Sequence, residues 1–175
     1  MGSEEGGLHY CVVVDKENSI NSPVVTIVPL TSVKKEMDVS RLHKGNVYLG
    51  NELFTNLSSK IASTKNGIIA TAKTLRSTLE TMKSNNGFES KDVYEQFMSD
   101  LEAAEKEQDL LDRMKQEINK MKRGSIALVP QIRTISKIRI YDPKTKHDIL
   151  SNVKLSNEKL DMIDAEIIQL YTGKK

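Results

Sequence analysis

The sequence predicts a mainly β domain with added α structure: a small barrel carrying one C-terminal helix, interrupted by a long antiparallel helical hairpin. Three observations point there. β-Branched runs of strand length occur before residue 55 and return after residue 124. Between them, apolar residues recur at steps of three and four, close to heptads. The chain closes on an amphipathic stretch of helical period. The expected organisation is therefore discontinuous, with residues 1–54 and 124–175 forming the β-rich domain and 55–123 an inserted, coiled-coil-like arm.

The first strand is expected in "YCVVVD", which begins at Tyr10, and the second in "PVVTIVPLT", which begins at Pro23. The turn-rich "KENSINS" separates them. Pro29 has no N–H for a ladder, so its run reads as an edge or a bulge. "NVYL", Asn46 to Leu49, is a third short strand. Leu57, Ile61, Thr64, Ile68, Ala72, Leu75, Leu79 and Met82 then make one helical stripe. Val93, Phe97, Leu101, Ala104, Leu111, Met114, Ile118 and Met121 make a second. "KSNNGFES" breaks the two, with Ser90 placed to cap the second helix. Acid-first pairs, Glu102 with Lys106 and Asp109 with Arg113, support its exposed side. Each helix of the pair should be roughly 40 Å long at 1.5 Å per residue. Beyond Gly124, "GSIALVPQIRTIS" and "KIRIYD" predict two further strands, the second ended by Asp142-Pro143. The last helix should start at a Ser156 cap and present Leu160, Ile163, Ile167 and Leu170 on one face. Gly173 lies just past its end.

Composition narrows the function. The chain has 175 residues, 29% of them charged, with a net charge of only +2, so any polyanion site has to be a local cluster. Aromatics are 5% and Trp is absent, which argues against a broad base-stacking platform. A single cysteine, Cys11, allows no intrachain disulfide. His43, His147 and Cys11 do not stand at a metal-binding spacing, so neither metal nor other cofactor is expected. No apolar run approaches the roughly 18 residues of a membrane span, and a soluble, cytoplasmic protein is expected.

Four features could carry chemistry. "GSEEGGLHY" surrounds two carboxylates with glycines and leads into a strand. His9, at that junction, belongs to the residue type that both gives and takes protons near neutrality, although a lone histidine is more often a surface or packing residue. "PLTSVK" places the hydroxyls of Thr31 and Ser32 beside Lys34 and Lys35, a set able to hold a phosphate or simply to finish a strand. In "LVPQIRTISKIRI", Gln131, Arg133 and Ile135 are expected on one face, and Ile132, Thr134 and Ser136 on the other. Arg133 among apolar neighbours calls for a fixed partner, either a carboxylate or a phosphate.

Taken in order, "GSEEGGLHYCVVVD", "VVTIVPLTS", "GSIALVPQIRTISKIRI" and the closing helix resemble the MazF/PemK family of toxin endoribonucleases. The resemblance covers residues 2–33 and 124–171. It implies a small SH3-like barrel of the MazF/PemK/CcdB type, usually a homodimer, that cuts single-stranded RNA without a metal. It also implies a cognate antitoxin protein as partner. In that pattern Thr31 matches the strand-end hydroxyl at the scissile phosphate. His9 stands where members usually have Arg, and Tyr10 where they have Pro. His9 is thus expected to transfer the proton and Thr31 to donate to the phosphorane, as the two catalytic residues. Gln131, Arg133 and Thr134 match the Q-x-R-T-I strand, and Glu4 and Gly7 the mobile loop. Ser3, Glu4, Ser32, Lys34, Gln131, Arg133 and Thr134 are expected along the RNA path. Two departures stand out. Pro130 replaces the acidic residue that often precedes the Gln. The family's opening R-G-D-[IV]-Y strand has no counterpart before Met1, and such a gap leaves an open sheet edge. The alternative reading is a non-catalytic nucleic-acid- or protein-binding module with the helical arm as its partner surface.

Overall fold

The computed structural model describes residues 9–19, 21–85, 87–88, 90–119, 122–145 and 148–173. The elements are β1 (Cys11–Val13), β2 (Val24–Ser32), β3 (Asn46–Gly50), α1 (Glu52–Ser84), α2 (Lys91–Ile118), β4 (Ser125–Leu128), β5 (Arg133–Ser136) and α3 (Asn157–Tyr171). All strand pairings are antiparallel, and β2 is the hub. β1 lies on one edge of β2; β4 and β5 lie on the other, with β3 outside β4. The sheet is open. The expected closed barrel is not formed, because β1 and β3 stand at opposite ends of the strand order. The molecule is a mixed α/β structure, with three α-helices among the described residues.

β2 is buried on both faces from Ile27 to Leu30, and its backbone bonds alternately to its two edges, which explains its proline. Leu30 N–H donates to the Tyr10 carbonyl and Val14 N–H to the Thr26 carbonyl, so even-numbered β2 residues bond toward β1. Odd-numbered residues therefore bond toward β4 and β5. Pro29, expected at an edge or bulge, sits buried in this central strand. Its absent N–H faces the gap between the Leu30–Ala127 and Ile27–Arg133 pairs, where a 3₁₀ turn over Val129–Gln131 interrupts the ladder. The expected single strand after Gly124 is thus two strands with a turn at Pro130. "KIRIYD", expected as a strand, begins with a 3₁₀ turn over Lys137–Arg139, and Ile138 and Tyr141 are exposed. Its apolar residues do not alternate onto any core.

Val28 and Leu30 project into the main core with Val12, Val47, Leu49, Ala127 and Val129. α3 closes that core: Ile163 is fully buried, with Leu160, Ile167 and Leu170 packed around it. Its first turn is held as expected, Lys159 N–H donating to the Ser156 hydroxyl. Gly124 has φ +91°, and a Cβ there would stand 2.9 Å from the Gly50 carbonyl oxygen, so the entry to β4 needs glycine.

The arm starts at Glu52, slightly ahead of the expected boundary, and α1 and α2 are roughly 50 Å and 42 Å long at 1.5 Å per residue. Ser90 caps α2 by accepting from Val93 N–H. Burial is confined to the base of the arm, at Leu57, Leu110, Leu111 and Met114. Ile149, from the loop before α3, packs on that cluster. The α1 seam runs Ile68, Thr71, Leu75, Thr78, Met82, each half-buried. Ala72 and Leu79, expected in the seam, are exposed. Two polar anchors tie arm to sheet. Lys60 Nζ donates to the carbonyls of Asp148, Ile149 and Ser151 at 2.9, 2.9 and 2.8 Å. The Glu52 carboxylate accepts from Ser156 N–H and its hydroxyl. Among the described residues no helix is long and apolar enough to cross a membrane.

Candidate functional site

The site is built on the junction of β1 and β2. Cys11, Val12 and Val13 oppose Pro29, Val28 and Ile27. The Leu30–Tyr10 hydrogen bond, 2.8 Å long, carries this register one residue further. Continued one residue past that hydrogen bond, the register would set His9, which lies outside β1, opposite Thr31. Directly opposed residues on antiparallel strands stand about 4.5–5.5 Å apart, with both side chains on the same face. On that continuation the two residues expected to share a phosphate come onto one face of the sheet, the face turned away from Val28 and Leu30.

His9 is exposed and Thr31 half-buried. The Thr31 hydroxyl has no hydrogen-bond partner among the described residues, yet no buried side-chain oxygen lacks one, so it is open to solvent. Thr31 is the penultimate residue of β2, and its register partner is the fully buried Ile126. That pairing fixes the backbone from which the hydroxyl projects.

Arg133 lies on the same face, opposite Ile27 across the other edge of β2. It is half-buried, and among the described residues of the chain no carboxylate pairs with it. Its charge is felt across the strand by Cys11. Burial pushes the Cys11 thiol up from its ordinary value, and the guanidinium pulls it part of the way down. Four residues of β2 separate the Ile27 and Thr31 positions, about 13 Å at 3.3 Å per residue. Arg133 therefore stands well apart from Thr31, with the buried Ile27 and Pro29 positions between them.

The remaining expected site residues divide. Ser32 and Lys34 are exposed just past Thr31. Gln131 sits in the 3₁₀ turn rather than on β5, so it does not share a strand face with Arg133 and Ile135. Thr134 pairs with Thr26, their hydroxyls 3.3 Å apart, on the opposite face from Arg133. It stands away from His9 and Thr31. Ser3, Glu4 and Gly7 lie outside the described residues.

Sequence reasoning missed one supporting residue. Tyr10, next to His9, donates its hydroxyl to the Glu117 carboxylate at the end of α2. Burial first, then this hydrogen bond and the carboxylate's charge, push the Tyr10 hydroxyl well above its ordinary value. The contact spans 107 positions of sequence, so no local pattern announces it. It ties the strand that carries His9 to the base of the arm.

The chain matches no protein-family model, no curated protein and no solved structure.

Proposed function

We propose that the chain is a metal-independent endoribonuclease that cleaves single-stranded RNA by attack of a ribose 2′-hydroxyl on the adjacent phosphorus. One observation supports this reading: the Leu30–Tyr10 hydrogen bond extends the β1–β2 ladder to the residues next to His9 and Thr31. His9 takes the 2′-hydroxyl proton as the 2′-oxygen bonds to phosphorus. The bond from phosphorus to the 5′-oxygen breaks, and the proton passes to that oxygen. The accessible Thr31 hydroxyl donates to a non-bridging oxygen, where negative charge grows in the phosphorane. Ser32 and Lys34 hold the same backbone, and Arg133 holds a phosphate further along β2.

The order of motifs supports a toxin of the MazF/PemK type, with the open sheet as a reduced form of its SH3-like barrel and the arm as an insertion. On that reading the partners are a second copy of the chain and an antitoxin protein that occupies the RNA face. The histidine changes the chemistry relative to an arginine at that place: an imidazole can take up or give a proton, which a guanidinium does not, but clamps phosphate less firmly.

The test is incubation of the purified chain with mixed-sequence single-stranded RNA in the presence of EDTA. Cleavage is expected, with loss of about a hundredfold or more in His9→Ala and in Thr31→Ala. Intact RNA, or full activity in both variants, overturns the proposal. Intact RNA together with retained binding instead selects the non-catalytic module.

A further inference from the structure

The outer two-thirds of the arm has a seam but no buried core, and it also exposes a second apolar stripe. Ile69 and Leu79 on α1 are 45% and 38% exposed, and Tyr94 and Met98 on α2 are 46% and 43% exposed. Each follows a seam residue by one position: Ile68, Thr78, Val93 and Phe97. One residue turns a helix by about 100°. Because α1 and α2 run antiparallel, the same turn carries both stripes to the same side of the hairpin.

Their heights along the arm also agree. A Cβ at Gly67 would meet the Glu107 carboxylate at 3.5 Å, and Met82 and Val93 line one small cleft. Leu79 therefore stands level with the stretch between Tyr94 and Met98. Ala72, also exposed, lies between this group and Ile69. Exposed Ala62, one position past half-buried Ile61, extends the stripe toward the base; from Ala62 to Leu79 it is about 26 Å long, and two helices are about 20 Å wide. That is roughly 500 Å² per copy, so two copies facing each other would bury about 1,000 Å², the lower bound for a specific interface.

Charge identifies the occupant and its direction. α1 carries five cations and two acids, net +3, whereas α2 carries four cations and nine acids, net −5. Among the described residues the arm's ion pairs all lie within one helix, such as Arg76 with Glu80 and Lys106 with Glu102. Among the described residues, then, no ion pair crosses from α1 to α2 within one hairpin. Two symmetric ways exist to stack one hairpin face on another. A two-fold axis across the helices sets α1 on α1 and α2 on α2, like charge on like. An axis along the helices sets α1 on the partner's α2.

We propose that the arms of two copies associate through this face into a four-helix bundle, tips at the same end, with each α1 against the partner's α2. Leu79 of one copy then enters between Tyr94 and Met98 of the other, and the two β domains sit together at the base. This inference does not depend on the nuclease reading.

The test uses the full chain in sedimentation equilibrium. The wild type is expected to dimerise. The double variant Leu79→Glu, Met98→Glu is expected to raise the dimer dissociation constant at least about a hundredfold. Both positions are exposed in one copy, so helix content by circular dichroism should be unchanged. On a Cys11→Ser background, a chain with Leu79→Cys mixed with one carrying Met98→Cys should form the mixed disulfide on oxidation. A monomeric wild type overturns the proposal. So does a dimer that the double variant leaves intact, or one in which only Leu79→Cys chains cross-link to each other.

Discussion

A backbone hydrogen bond from Leu30 to Tyr10 extends the β1–β2 ladder to the residues next to His9 and Thr31. The account therefore asks little of side-chain luck and much of one register. At Thr31 the hydroxyl is the acting group, so Thr31→Ser should keep cleavage within about tenfold of wild type, while Thr31→Val loses about 10²–10³. Single-turnover rates on one RNA check this. At Tyr10 the fold holds the hydroxyl protonated beyond its ordinary value of 10.0. The stabilisation is complete below that value and is lost as pH rises toward the folded one, because only the unfolded chain releases the proton. Urea melts at about pH 8 and about pH 11 should show wild type losing more stability than Tyr10→Phe. His9 and Thr31 were legible as residue types at strand ends. Tyr10 and its Glu117 partner were not, since nothing local links an aromatic in a strand to an acid at a distant helix end.

At the scale of elements, the arm depends on its base. Met114 is fully buried among Leu110, Leu111 and the residues packed on them, so Met114→Ala should cost about 2–5 kcal/mol. Lys60 satisfies three loop carbonyls at once, and burial lowers its ammonium from the ordinary lysine range. Lys60→Met leaves those carbonyls without their donor. It should lower the melting temperature and speed amide exchange at residues 148–151, both measurable on the isolated chain. The break between the two arm helices, both serine caps and the α3 face were readable from periodicity and capping. The α1 seam was misread after Ile68 for a definite reason. Following apolarity to Ala72 takes two steps of four in succession, which drifts off a seam of period 3.5; the chain instead keeps alternating through Thr71 and Thr78. The misplaced Leu79 is the residue left on the outer stripe. Strands after Gly124 were misjudged because Pro130 and the Lys137–Arg139 segment look β-like by composition but turn in three dimensions.

For the whole molecule, one central strand organises two surfaces. The even face of β2 builds the core closed by α3, and the odd face carries Thr31, with Cys11 and Arg133 as cross-strand neighbours. The antiparallel helical hairpin and the closing helix were both legible. Closure into a barrel was not, because it depends on which edge strands meet, and alternation within a strand is silent on that. The most direct measurement is of the ends left on cleaved RNA. The account predicts 2′,3′-cyclic phosphate and 5′-hydroxyl ends, formed in EDTA and lost together in His9→Ala. Fragments ending in 3′-hydroxyl and 5′-phosphate, or RNA that stays whole, would contradict it.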